Sequence, residues 1–206
     1  RDRPQDRAAQ VPEAEMRIAV YGGSFNPPHP AHVRAARLAY AALAPDKLLV
    51  IPAAAPPHKA LAAGSPPPEE RFELTKLAFR DFPEAEISDV ELRRGGESYT
   101  SDTVEELARE YPGAELWLVI GTDMLTSFER WHEFRSILAG AALAVLPRNE
   151  GELPEIERCA ARFEALYGAR VRIIDAAPLP MSSSEMRDML VARRGADVLD
   201  GEVYAR

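Results

Sequence analysis

Apolar residues along the chain fall into short, nearly unbroken runs, separated by longer stretches in which they recur every three or four positions. Arg17–Tyr21 (RIAVY), Lys47–Ile51 (KLLVI), Leu116–Ile120 (LWLVI) and Ala142–Leu146 (ALAVL) have strand length and little alternation, the pattern of strands covered on both faces. Ile87–Leu92 and Val171–Ile174 read as two further strands. Between them the spacing turns helical. One helix starts at Pro30 and runs through Val33, Ala36, Leu38, Ala39 and Leu43. A second covers Glu69–Phe82 with Phe72, Leu74, Leu77 and Ala78 inward, and a third Thr103–Tyr111 with Ser101 or Asp102 as its cap. Trp131–Leu138, Glu155–Tyr167 (closed by Gly168) and Ser183–Arg194 (closed by Gly195) complete the set. Pro52–Pro68 is a long Ala- and Pro-rich loop, a length that is usually functional or mobile, and Arg94–Ser98 is a turn.

Strands alternating with helices predict an α/β fold, a Rossmann-like doubly wound parallel sheet with helices on both faces. In such sheets ligands bind at the carboxyl ends of the strands, where strand order reverses. Gly22-Gly23 and Gly121-Thr122-Asp123 each follow a strand end, so both reach one cleft. At 206 residues the chain suits one domain. Residues 1–15, charged and aperiodic, read as a disordered N-terminal extension, leaving 16–206 as the folded domain. The first residue is not Met, so a fragment or a processed form is expected.

Composition narrows the partners. The single Cys, Cys159, suits a reducing cytoplasm. There is no apolar run of membrane-spanning length and no signal-peptide pattern. A net charge of −8 argues against a surface that coats nucleic acid. Polyanionic substrates would have to be drawn by a few local cations, which makes each Arg, Lys or His near the cleft informative. Oligomeric state leaves no mark on the sequence.

The most informative stretch is Gly22-Gly23-Ser24-Phe25-Asn26-Pro27-Pro28-His29-Pro30-Ala31-His32. The glycines allow a tight turn and close backbone approach, and Asn26-Pro27-Pro28 holds the chain extended. Pro30 suits the first helical turn. His29 and His32, three apart, can face one point, and the free N–H groups of the helix start face it too. This is a site built for phosphate. It is neither a Walker A loop nor a G-x-G-x-x-G fingerprint, and no further ligand for a zinc site lies nearby. A Gly-Pro turn with two incidental histidines is the plainer alternative.

The stretch resembles the signature of the nucleotidyltransferase superfamily, G-G-x-F-D-P-x-H-x-G-H, with Asn26 for Asp and Ala31 for Gly. Near the other end, Met181-Ser182-Ser183-Ser184-Glu185-Met186-Arg187 is similar to that family's I-S-S-T-x-I-R motif; Ser182 and Glu185 also form a capping box. Between them stand Pro57-His58-Lys59, Ser98-Tyr99-Thr100 and Gly121-Thr122-Asp123-Met124 through Phe128, Trp131 and His132. In that order they resemble the bacterial nicotinate-nucleotide adenylyltransferases, from Met16 to about Leu199. Trp131-His132 stands where the family has Trp-Tyr, and the family's final helix is cut short at Val203–Arg206.

The resemblance implies adenylyl transfer from ATP to nicotinate mononucleotide, giving deamido-NAD and pyrophosphate. His29, His32 and Arg187 would be catalytic. Gly22, Gly23, Ser24, Phe25, Lys59, Gly121, Asp123, Ser183 and Ser184 would bind ATP. Thr100, Trp131, His132 and Arg148 would bind the nicotinate nucleotide. Mg²⁺ would bridge the phosphates, held by substrate oxygens and water, with no dedicated protein metal site. Each inner residue has a plain alternative: Lys59 and Arg148 as solvated charges, Thr100 as a turn residue, Asp123 as a helix cap, Trp131 as core. Arg148 follows a strand's carboxyl end, which favours a phosphate role. Two rival readings stand beside this one, a related transferase with another phosphate acceptor (phosphopantetheine, a flavin or nicotinamide nucleotide) and a non-catalytic nucleotide-binding protein.

Overall fold

The computed structural model describes residues 16–57, 61 and 63–177. A sheet of six strands is parallel throughout: β1 Arg17–Gly23, β2 Lys47–Pro52, β3 Ala85–Ile87, β4 Glu115–Gly121, β5 Ala141–Leu146 and β6 Val171–Ile173. Their order is β3-β2-β1-β4-β5-β6. The chain works outward from β1 on one side, then returns and works outward from β4 on the other. The reversal therefore falls between β1 and β4, which pair with Ile18 opposite Leu116 and Val20 opposite Leu118.

Two cores lie against the two faces of the sheet, as expected of a doubly wound fold. Side chains alternate along each strand, so Ile18 and Val20 join one core and Ala19 the other. The first core gathers Leu116, Leu118, Ile120, Leu143 and Val145 beneath α3 Val90–Arg94, α4 Thr100–Glu110, α5 Thr122–Ser127, α6 Phe134–Gly140 and α7 Leu153–Tyr167. The second packs α1 Pro30–Leu43 and α2 Pro68–Phe79 over Ala19, Leu48, Val50, Val119 and Ala144. The buried face of α1 is Ala35, Ala36, Ala39 and Leu43, so mostly methyl groups separate that helix from the sheet.

Several boundaries differ from the sequence expectation. Ile87–Leu92 is not one strand. The backbone leaves the sheet after the Ser88 N–H donates to the Val50 carbonyl (2.9 Å), and Val90–Arg94 forms a short helix ended by Gly95 at φ 67°. Val90 and Leu92 had mimicked alternation. The helix expected over Thr103–Tyr111 begins at Thr100 with Tyr99 in the cap position, so neither Ser101 nor Asp102 caps it. On α2 the buried positions are Arg71, Leu74, Thr75 and Phe79, while Phe72 is only half-buried, and the helix stops before Phe82. Trp131 and His132 precede α6 rather than opening it. Gly168 closes α7 in the left-handed conformation, as expected. The first fifteen residues and the Ser183–Arg194 helix lie outside the described residues.

Candidate active site

β1 delivers the Gly-Gly stretch to the switch point. At Gly23 a Cβ would sit 3.2 Å from the Phe25 ring, so a side chain there would press on that ring. At Gly22 a Cβ would meet no protein atom within 4 Å, so its missing side chain leaves room in the cleft instead. Phe25 has a left-handed backbone (φ 42°), a conformation rare for a bulky residue, and persists there because its ring is wholly buried. The ring packs edge-on against Tyr21, His32 and Phe79, with centroids 5.8, 4.9 and 6.3 Å away. Phe25 thus anchors the turn from within, and the residues of the turn that reach the cavity are Gly22, Gly23 and Ser24. The Asn26–Pro27 peptide is cis, and Asn26 Nδ2 donates to Ser65 Oγ at 2.7 Å.

His29 occupies the cap position of α1 with Pro30 following it. The two imidazoles lie with centroids 3.7 Å apart, and the His29 backbone N–H donates to His32 Nδ1 at 3.2 Å. That bond fixes the tautomer: Nδ1 accepts, so the proton of neutral His32 is on Nε2. Burial, then His29 and then Arg148, hold the His32 pKa well below its ordinary value. The free protein therefore presents a neutral N–H donor at the helix mouth.

β4 delivers the opposite lip. A Cβ at Gly121 would come within 2.9 Å of Asp123 Oδ1 and 3.2 Å of Arg148 Nε. Arg148 Nη1 and Asp123 Oδ2 form a largely solvent-exposed ion pair at 3.3 Å. Arg148, expected among the acceptor residues, stands here with Asp123 and Gly121. Its loop is tied down by Glu152, whose Oε2 accepts from Thr122 Oγ1 (2.6 Å) and the Arg148 N–H (2.8 Å), and whose Oε1 accepts from Asn149 Nδ2 (2.6 Å). Burial works against the charge, but these hydrogen bonds bring the Glu152 pKa down to about 2.

Beside the glycine turn a cavity of about 250 Å³ opens, lined by Gly22, Gly23, Ser24, Thr100, Trp131 and His132 among others. Trp131 stacks on buried Phe128 (4.8 Å, 27°), and His132 lies over Tyr99 (4.3 Å, 33°). Its wall also includes Glu91, which sequence reasoning passed over. Glu91 is 7% exposed, and its Oε1 accepts from Thr103 Oγ1 at 2.7 Å. Burial pushes its pKa up, against the pull of the Thr103 and Ser98 hydroxyls and Arg94.

The structure thus groups Gly22, Gly23 and Ser24 with Thr100, Trp131 and His132, and sets His29 and His32 on the helix that follows the same turn. Lys59, Ser183, Ser184 and Arg187 lie outside the described residues. Among the described residues no group of three or more His, Cys, Asp or Glu could hold a metal ion, and no helix is long and apolar enough to cross a membrane. Arg71 and Glu152 were missed as well. Arg71 had a legible signal, since it shares the helical stripe of Leu74, Thr75 and Phe79.

A parallel sheet reversing between β1 and β4, with glycine turns at both strand ends and an aromatic-walled cavity between, defines the class of α/β proteins that bind nucleotides at a topological switch point. Residues 20–189 match the cytidylyltransferase-like family. A relative from Geobacter metallireducens is 44% identical over 133 residues, 65% of this chain and 61% of the relative. One from Trichlorobacter lovleyi is 38% identical over 192 residues, 87% of this chain and 89% of the relative. Both carry the name "Probable nicotinate-nucleotide adenylyltransferase". The fold is also that of the Plasmodium falciparum nicotinic acid mononucleotide adenylyltransferase complexed with NaAD, with a TM-score of 0.73 at 16% identity, covering 92% of this chain and 93% of that one. The chain belongs to the cytidylyltransferase-like family and, within it, to the nicotinate-nucleotide adenylyltransferases.

Proposed function

We propose that this chain joins ATP and nicotinate mononucleotide, giving deamido-NAD and pyrophosphate. The observation that carries the reading is the shared glycine turn: Gly22, Gly23 and Ser24 wall the cavity with Thr100, Trp131 and His132, and the same turn leads into His29 and His32. A pyridine ring against Trp131 would put its nucleotide phosphate near the histidines. The aromatic face suits the ring, and Thr100 and nearby backbone N–H groups suit its carboxylate.

The acceptor's phosphate oxygen attacks the α-phosphorus of ATP in line. The new P–O bond forms as the bond to the β-phosphate oxygen breaks, and pyrophosphate leaves. No protein nucleophile is required, so positioning and charge stabilisation carry the step. His32 donates Nε2–H to the triphosphate, and His29 sits beside it. A polyanion there opposes the field of Arg148 and draws the His32 pKa back up. Ser183, Ser184 and Arg187 hold the β- and γ-phosphates, Lys59 approaches from the long loop, and Gly121 and Asp123 face the adenosine. The place of Arg148 beside Asp123, where its charge also acts on His32, favours a role on the ATP side over the acceptor role first expected. Mg²⁺ would arrive with the triphosphate and neutralise its charge, liganded by phosphate oxygens and water. Cytoplasm, where ATP is made, suits a chain with one Cys.

Pyrophosphate release measured across acceptor nucleotides tests the reading. Nicotinate mononucleotide is expected to be favoured over the nicotinamide form by at least ~10-fold in kcat/KM, because an amide NH₂ would oppose the donors that suit a carboxylate. Equal use of the two, or a better rate with phosphopantetheine or a flavin nucleotide, overturns it.

A further inference from the structure

Arg71 is wholly buried, yet forms no ion pair among the described residues. Its Nη1 donates to the Ser24 carbonyl at 2.7 Å and its Nη2 to the Ala54 carbonyl at 2.9 Å, while Nε finds no acceptor. Burial draws the guanidinium pKa down, with exposed Glu69 the group that opposes this. An arginine still keeps its charge inside a protein.

Three features make this placement costly for stability alone. A buried charge without a counter-ion is unfavourable. One guanidinium N–H lacks a partner. And the cation sits in the first turn of α2, where the helix dipole favours anions. A leucine or methionine would fill the same space without these costs. What the arginine alone provides is a rigid fork between two loops, one leaving β1 at Ser24 and the other leaving β2 at Ala54. Those strands are neighbours, with Gly23 opposite Pro52, and Ala53 N–H already donates to the Gly23 carbonyl at 2.8 Å. Holding the Ser24 carbonyl fixes the plane of the Ser24–Phe25 peptide, and with it the course of the turn that leads into Phe25. The α2 backbone behind the fork is braced in turn, since Thr75 Oγ1 donates to the Arg71 carbonyl at 2.7 Å.

We propose that Arg71 is a positioning residue for the transfer reaction: by holding the Ser24 carbonyl it locks the Gly22–Ser24 turn that walls the cavity in the form that receives the phosphates, and those phosphates are the counter-ion that its buried charge lacks. The role rests on the function proposed above, but its phosphate arm is measurable without any acceptor.

The test compares wild type, Arg71→Met and Arg71→Lys in two assays: calorimetric binding of inorganic pyrophosphate with Mg²⁺, and steady-state turnover of ATP with nicotinate mononucleotide. Arg71→Met is expected to keep the wild-type circular dichroism spectrum, bind pyrophosphate at least ~10-fold more weakly and lose ~30-fold or more in kcat. Arg71→Lys restores the charge but not the fork, so it should recover pyrophosphate binding to within about threefold and leave kcat at least ~10-fold low. A folded Arg71→Met with normal pyrophosphate affinity and normal kcat, merely melting lower, would make the arginine structural and overturn the proposal. If Arg71→Met does not fold, Arg71→Lys decides: a wild-type kcat there overturns the positioning role. A wild type that binds pyrophosphate but does not turn over nicotinate mononucleotide would fail the functional reading and leave the pyrophosphate comparison standing.

Discussion

The two lips of the cleft are built in different ways. The lip after β1 is set by packing: Phe25 is fully buried, Tyr21, His32 and Phe79 press on its ring, and His29 is 3% exposed. The lip after β4 is set by polar contacts: Glu152 ties its loop down by hydrogen bonds, while the Arg148–Asp123 pair at its surface is roughly half exposed. Close packing resists displacement by fractions of an ångström, whereas an exposed ion pair is screened by salt and re-forms readily. In the proposed reaction the rigid lip carries the imidazoles that must be in place beforehand. In that reaction the adjustable side chains of the other lip would face the nucleoside, which must enter and leave.

The largest effect should come from the packed lip. His32→Ala, or His29→Ala, is expected to lower kcat by at least ~100-fold while the protein stays folded, as when a preorganised donor is lost. A folded double variant with near-normal turnover would remove both residues from the chemistry.

The neighbouring glycines separate packing from space. Gly23→Ala drives a methyl against the Phe25 ring and should cost about 1–3 kcal/mol, read by chemical denaturation. Gly22→Ala meets no protein atom, so stability should hold while kcat/KM falls by ~10-fold, the scale of one methyl misplaced in a pocket. The reverse order of these effects would mean that the cleft lies on the other side of the turn.

Acid should also act through the packed lip. His32 stays neutral in the folded chain below the pH at which an unfolded His takes a proton, about 6.5. Above that pH neither state binds the proton, and His32 gives stability no slope. Below it only the unfolded chain does, so stability falls with pH by up to ~1.4 kcal/mol per unit until the depressed pKa is reached. His32→Asn should remove that part of the slope, and stability profiles from pH 7 to 5 would show it.

The smallest effect belongs to the adjustable lip. Arg148→Ala should change stability by less than ~1 kcal/mol and largely lose even that difference in high salt. A large, salt-independent loss would show that this lip is packed after all.

The central strands and the glycine turns were legible because continuous apolar runs and Gly-Gly after a strand have few other uses. The Ile87–Leu92 error was local: Val90 and Leu92 alternate like a strand, but Ser88-Asp89 turns the chain and both residues sit on a short helix, Val90 buried and Leu92 half-buried. Arg71 and Glu91 escaped because composition treats charge as surface, and only their positions on buried helical stripes mark them as interior. The grouping of Arg148 with Asp123 rather than with Thr100 depends on where two loops meet across the sheet, which spacing along the chain does not encode.

The alanine face of α1 has a consequence of its own. Ala35, Ala36 and Ala39 act as spacers that set how high the helix rides above Ala19 and Ala144, and His32 stands about one helical turn before the first of them. A Val at position 36 would fill no void. It would lift the helix and carry the imidazoles with it. Such a substitution would register as a misaligned instrument before it registered as a weaker protein, and drift at these plain residues is confined by the height of the histidines they support.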